Sequence, residues 1–113
     1  MQNKFESGLY LLSKGEYLRA AKLFDKILIQ NPNLNRVRLE LARSLFLGEQ
    51  FIRSKKEFKK ALSLSPPKKV VVNIKTFIEA IDKTLKQSSY LETEINLSSL
   101  QKTRLKKDYV ILN

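Results

Sequence analysis

The chain contains no cysteine and no histidine. Their absence removes thiol nucleophiles, disulfides, imidazole acid–base chemistry and Cys/His zinc sites. It leaves the redox compartment open, because a chain without cysteine suits any. Glycine and proline number three each, so long irregular loops are not expected. Gly8, Gly15 and Gly48 stand alone and form no phosphate-cradling loop. No stretch approaches the roughly 18 apolar residues of a membrane-crossing helix. The N-terminus, Met1-Gln2-Asn3-Lys4-Phe5-Glu6, has no apolar core of a secretory leader, so none is expected. Acidic residues are also scarce: 11 against 22 Lys and Arg, a net charge of +11. Such a balance attracts acidic partners, nucleic acid or an anionic membrane surface and says nothing about fold. The acids are scattered, with Glu6 and Glu16 in separate helical segments and Glu92 and Glu94 near the C-terminus. With no paired carboxylates and no nucleophile–base set, the chain is expected to be no enzyme and to use no cofactor or metal.

What the sequence has is a period. Phe24 and Phe58 are 34 residues apart, as are Tyr17 and Phe51, Ala20 and Ser54, and Pro32 and Pro66. Ile27 pairs with Ala61, Leu11 with Leu45 and Gly8 with Ala42 in the same register. A fixed period of this length marks a stack of helical hairpins. Each residue type has a physical task. Gly8, Ala20, Ala42 and Ser54 are small where two helices must approach closely. Tyr17, Phe24, Phe51 and Phe58 fill the space between successive helices. Pro32 and Pro66 stop the second helix of each pair. The period and the order small–aromatic–small–Phe–Pro resemble the tetratricopeptide repeat (TPR). The early aromatic usual in the first helix of a TPR is replaced by Lys4 and Arg38, and the apolar position that follows is Ser7 in the first repeat.

Apolar periodicity agrees. Leu18, Ala21, Leu23, Phe24, Ile27 and Leu28 form one stripe, and Val37, Leu39, Leu41, Ala42, Leu45 and Phe46 another. Helices are expected near 3–14, 17–30, 35–47 and 51–64, with Gly15 and Gly48 taking positive φ at the turns. After Pro66-Pro67, Ile74, Phe77, Ile78 and Ile81 predict a fifth helix near 69–84, read as a cap on the open end of the stack. The expected fold is therefore all-α: a TPR-type right-handed helical-hairpin solenoid over residues 1–84, with repeats at about 1–34 and 35–68 and the capping helix at about 69–84. Residues 85–113 read as a basic tail or linker. Gln87-Ser88-Ser89 suggests a break. Leu91, Thr93, Ile95 and Leu97 alternate with polar residues and suit a strand, and Tyr109 to Leu112 is a short β-prone end. Lys102, Arg104, Lys106 and Lys107 form a basic run between them.

A narrower resemblance rests on Arg38-Leu39-Glu40-Leu41-Ala42-Arg43-Ser44-Leu45-Phe46, then Phe51, Lys56-Glu57-Phe58, Ala61-Leu62, Pro66-Pro67, Val70 to Ile74, and Phe77-Ile78-Glu79-Ala80-Ile81. These segments resemble the N-terminal TPR domain of the surface lipoprotein assembly modifier family of Gram-negative bacteria, over about residues 5–84. The double proline leading into a Val–Asn–Ile–x–x–Phe helix is the most specific part. The resemblance implies a periplasmic domain attached to an outer-membrane β-barrel that helps lipoproteins reach the cell surface, with a lipoprotein or a periplasmic chaperone as partner.

In a TPR stack the first helix of each pair lines a concave groove. The register then places Gln2, Phe5, Leu9 and Leu12 there in repeat one, Arg36, Leu39, Arg43 and Phe46 in repeat two, and Val70, Asn73 and Phe77 in the cap. Such a groove buries apolar partner side chains, while Arg36 and Arg43 hold carboxylates and Asn73 bonds a partner backbone. Phe5, Leu9 and Leu12 also have a plain reading as residues packed against neighbouring helices. The chaperone-tail grip of some TPR domains needs Lys and Asn where this chain has Phe5 and Leu9, so it is not expected. A second patch, Arg53, Lys55, Lys56, Lys59 and Lys60, is opposed only by Glu57 and reads first as a solvated helix face, with an acidic partner surface, anionic lipid headgroups or nucleic-acid phosphates as the sharper readings. No aromatics interleave it, so nucleic acid is not the expected partner. The alternatives kept open are a cytoplasmic basic protein that binds nucleic acid and a homo-oligomeric scaffold joined through the ends of the stack.

Overall fold

The computed structural model describes the backbone of residues 3–107 and the side chains of residues 3–88. Five helices account for the described chain: α1 (Lys4–Ser13), α2 (Tyr17–Gln30), α3 (Asn35–Leu47), α4 (Phe51–Ser63) and α5 (Lys68–Lys107). The described residues are all-α. It divides into two compact units, Met1–Ile81 and Asp82–Asn113.

In the first unit each helix packs on the next, α1 on α2, α2 on α3 and α3 on α4. The chain is told where to start and stop by a few polar atoms. Asn3 caps α1, its Oδ1 accepting from the backbone N–H of Glu6 at 2.8 Å. This satisfies one of the donors that a helix start leaves open. At the other end Gly15 has φ +78. Its N–H donates to the carbonyl of Leu12 at 3.0 Å and that of Glu16 to Leu11 at 2.9 Å, which closes the helix and folds α2 back along it. The same pair of bonds ends α3, from Glu49 to Phe46 at 3.0 Å and from Gln50 to Leu45 at 2.7 Å. Here the residue with positive φ is Glu49, at 62°, and Gly48 sits at −84°, which corrects the expectation that Gly48 would make the turn. The 34-residue register already pointed to Glu49, the counterpart of Gly15. Gly48 is small for another reason: a Cβ there would lie 2.7 Å from Leu18 Cδ2. Leu18, expected on the buried stripe, is instead 46% exposed while lying against this glycine.

The core follows the small–aromatic scheme. Ala20, Phe24, Ala42, Ser54 and Ala61 are fully buried, and Phe58 nearly so. The ring of Phe24 occupies the space a Cβ on Gly8 would need. Ser54 is buried without penalty because its hydroxyl donates to the carbonyl of Ala42 at 2.7 Å, pinning α4 to α3 at the close approach. Arg38, which stands where an aromatic was expected, donates from Nη1 to Glu57 Oε1 at 2.6 Å and from Nη2 to the Pro32 carbonyl at 2.7 Å. The two charged side chains are only 11% and 10% exposed. Glu57 is therefore the partner of Arg38 inside the helix pair and does not oppose the lysines on the outside of α4.

Ser65, at φ 54, ends α4, and Pro66 follows where no further N–H can reach back. The carbonyl of Pro67 accepts from Val71 at 3.0 Å and opens α5. Ile74 and Ile81 are buried, and the ring of Phe77 stacks on Phe58 at 4.8 Å and meets Phe46 edge-on at 5.1 Å. The start of α5 thus meets α3 and α4 through the Phe77 ring.

In the second unit the backbone remains helical to Lys107. This corrects both the break at Gln87-Ser88-Ser89 and the strand across Leu91 to Leu97. No glycine or proline follows Pro67, and Leu91 with Ile95 and Leu97 with Leu100 have helical spacing as well as alternation. The β-prone end from Tyr109 to Leu112 lies outside the described residues.

Two stability measurements check this account. Glu49→Gly relieves a left-handed conformation costly for any residue with a Cβ, so it is expected to raise unfolding free energy by about 0.5–1 kcal/mol, read by urea titration; Gly48→Ala, which forces Leu18 aside, lowers it. Arg38→Ala alone strands the Glu57 carboxylate and is expected to cost about 3–5 kcal/mol, whereas Arg38→Met with Glu57→Leu recovers most of that loss.

Candidate functional site

Two connected clefts line one side of the first unit. One, of about 560 Å³, lies between α3 and the α4–α5 connection, with Arg36, Leu39 and Glu40 on one wall and Leu64, Pro66, Pro67 and Val70 on the other. The second, of about 150 Å³, continues along α3 to Arg43 and along α5 to Asn73 and Phe77, floored by Phe58 and Ile74. Leu39, Glu40 and Val70 belong to both, so they form one groove.

The helices dictate this arrangement. Arg36, Leu39, Glu40 and Arg43 are three and four apart and share one face of α3. Val70, Asn73 and Phe77 do the same on α5. The stacking of Phe77 on Phe58 and its edge contact with Phe46 hold the second wall in place. Leu39, Val70 and Phe77 are half-buried, while Arg36, Arg43 and Asn73 are exposed. The groove therefore offers an apolar floor with polar groups at its lip.

Charge within it is mixed. Arg43 Nη1 donates to Glu40 Oε1 at 3.3 Å, a long and partly solvated pair of little energetic worth. The Arg36 guanidinium lies 5.4 Å above the Phe5 ring, and that ring packs obliquely on Phe24 at 5.8 Å. The ring contact steadies the Arg36 guanidinium at the lip of the groove.

Of the groove residues read from the sequence, the structure brings together Arg36, Leu39, Arg43, Val70, Asn73 and Phe77. Phe5, Leu9 and Leu12 do not line the clefts; they are partly buried against the core around Ala20, Phe24 and Leu41. Phe46 stands behind the groove, between Phe51 and Phe77, as a support. Glu40, Leu64, Pro66 and Pro67 were not anticipated. Glu40 was legible, because it stands four after Arg36 and three before Arg43. Leu64 and the prolines enter only through the path of the connection.

The basic patch is less uniform than its sequence. Arg53 donates to Asp25 on α2 at 2.6 Å. That hydrogen bond pushes the Arg53 guanidinium above its ordinary value, against a smaller opposing effect of burial. Lys55 is half-buried, while Lys56, Lys59 and Lys60 are exposed. Among the described residues no helix is long and apolar enough to cross a membrane, and no group of carboxylates is placed to hold a metal ion.

Comparison with protein-family models, with curated proteins and with solved structures finds no match to this chain.

The groove is separable from the core it rests on. Phe77→Ala is expected to cost about 3 kcal/mol of stability in urea unfolding. Arg36→Ala removes only a ring contact at the surface and is expected to cost about 0.5–1 kcal/mol.

Proposed function

We propose that the chain is a polypeptide-binding module of the TPR type, a right-handed solenoid of two helical hairpins capped by the start of α5, which grips an extended segment of a partner protein in the groove between α3 and α5. The observation that carries this reading is the groove itself: apolar along Leu39, Val70 and Phe77, with a guanidinium at either end in Arg36 and Arg43 and an amide in Asn73. The 34-residue register of paired helices supports the repeat assignment. A bound segment places an aliphatic side chain over Leu39 and Val70, gives a carboxylate to Arg36, and bonds its backbone to Asn73. Glu40 disfavours a second acid beside the first.

The setting we assign is the periplasmic part of an outer-membrane system that exports lipoproteins to the cell surface, with a lipoprotein substrate or a periplasmic chaperone as the partner. It rests on the resemblance described above, whose most specific element, Pro66-Pro67, forms part of the groove wall.

The test is selection of extended peptides from a displayed random library, followed by titration of the recovered peptides. Sequences that pair an aliphatic residue with an acid, and that bind Arg36→Ala about tenfold more weakly, are the expected result. Recovery of no sequence above background, or equal binding by Arg36→Ala and Leu39→Ala, sinks the groove as a peptide site. For the assigned setting, capture of a lipoprotein from a membrane extract by the intact chain, lost on Leu39→Ala, is expected; capture only from cytoplasm counts against it.

A further inference from the structure

We propose that the outer face of α2 and α4 docks on an anionic lipid bilayer. The face is written twice in the sequence. One step of the 34-residue period turns Leu18, Lys22 and Lys26 on α2 into Ile52, Lys56 and Lys60 on α4. Residues four apart on a helix stand one above another, so each set is a row. The ion pair from Arg53 to Asp25, at 2.6 Å, joins the two helices on this side and brings the rows together. All six residues are exposed, and Lys59 beside them is too.

Three of the four acids on α2, α4 and the turns before them are already engaged; the fourth, Glu49, is exposed at the turn that opens α4. Asp25 is held by Arg53 and Glu16 by Arg19 at 2.5 Å. Glu57 is buried against Arg38. Among the described residues no carboxylate pairs with Lys22, Lys26, Lys56, Lys59 or Lys60. The arginines neutralise the acids, and the lysines are left to face outward.

Two features select a bilayer over nucleic acid. Leu18 and Ile52 are 46% and 70% exposed and precede the lysines by one turn; Ile29, 79% exposed, follows Lys26 on α2. Aliphatic groups gain nothing against a phosphodiester backbone, but at the boundary of headgroups and acyl chains they leave water while neighbouring lysines meet lipid phosphates. None of the row positions is aromatic, so bases have no platform to stack on.

The experiment is co-sedimentation of the full chain with vesicles of phosphatidylcholine alone and of equal parts phosphatidylcholine and phosphatidylglycerol, at low and raised salt. Binding to the anionic vesicles only, weakened by salt, is expected. Each lysine at an anionic surface is worth about fivefold in partitioning, so Lys22→Gln with Lys56→Gln and Lys60→Gln is expected to lower it about a hundredfold. Ile52→Ser lowers it severalfold, including at raised salt, where a purely ionic attachment is screened. Arg36→Ala, in the groove, leaves vesicle binding unchanged. Equal partitioning to neutral vesicles, or no loss in the triple variant, overturns the proposal. So does affinity for a nucleic-acid duplex that exceeds vesicle binding and is indifferent to Ile52→Ser.

Discussion

The first unit depends on how closely its helices can approach. Phe24 lies where Gly8 would carry a Cβ, and Ser54 reaches the backbone carbonyl of Ala42 at 2.7 Å. Both contacts require that nothing larger stand between the axes. Once those distances are set, the aromatic residues fill what remains, and the positions of Phe58 and Phe46 against Phe77 are fixed with them. The groove is a consequence: the start of α5 lies where Phe77 meets the two rings, and the space left between it and α3 is the cleft.

Polar atoms do the positioning that apolar contacts cannot. Arg38 ties α3 to α4 through Glu57 and to the preceding connection through the Pro32 carbonyl. Asn35 Nδ2 reaches the Ala61 carbonyl at 3.1 Å, at the edge of the larger cleft. Asn35 Oδ1 and Arg38 Nε are buried without a protein hydrogen-bond partner among the described residues. A buried pair of this kind adds little net stability over apolar residues of the same volume. What it does is tie α3 to α4 at one place through directional bonds.

The two faces have different electrostatic characters for one reason. On the groove side arginines stand with an acid and an aromatic ring, Arg43 with Glu40 and Arg36 over Phe5. On the outer side arginine is consumed by Asp25 and Glu16, and lysine is left exposed. The planar guanidinium suits fixed, shared geometry; the ammonium on its long stem suits a diffuse anionic surface. The positive charge of the first unit is therefore not spread evenly over its surface.

The sequence by itself determined the helices. Periodicity, proline stops and the 34-residue register placed α1 to α4 within a residue or two of their observed ends, because those signals are local and each acts over one turn. It also determined which residues are small or aromatic in the core. It did not decide the region after Lys86, where alternation and helical spacing coexist in Leu91, Ile95 and Leu97, and the absence of glycine and proline let the helix run on. It misplaced the turn at Gly48, although the register pointed to Glu49, because a glycine can serve close packing as well as positive φ. The tertiary structure alone decided that Pro66 and Pro67 join the groove wall, that Phe5, Leu9 and Leu12 pack against the core and do not line this groove, and that Glu57 pairs with Arg38. Each of these depends on where a neighbouring helix lies, and no spacing along a single chain carries that information.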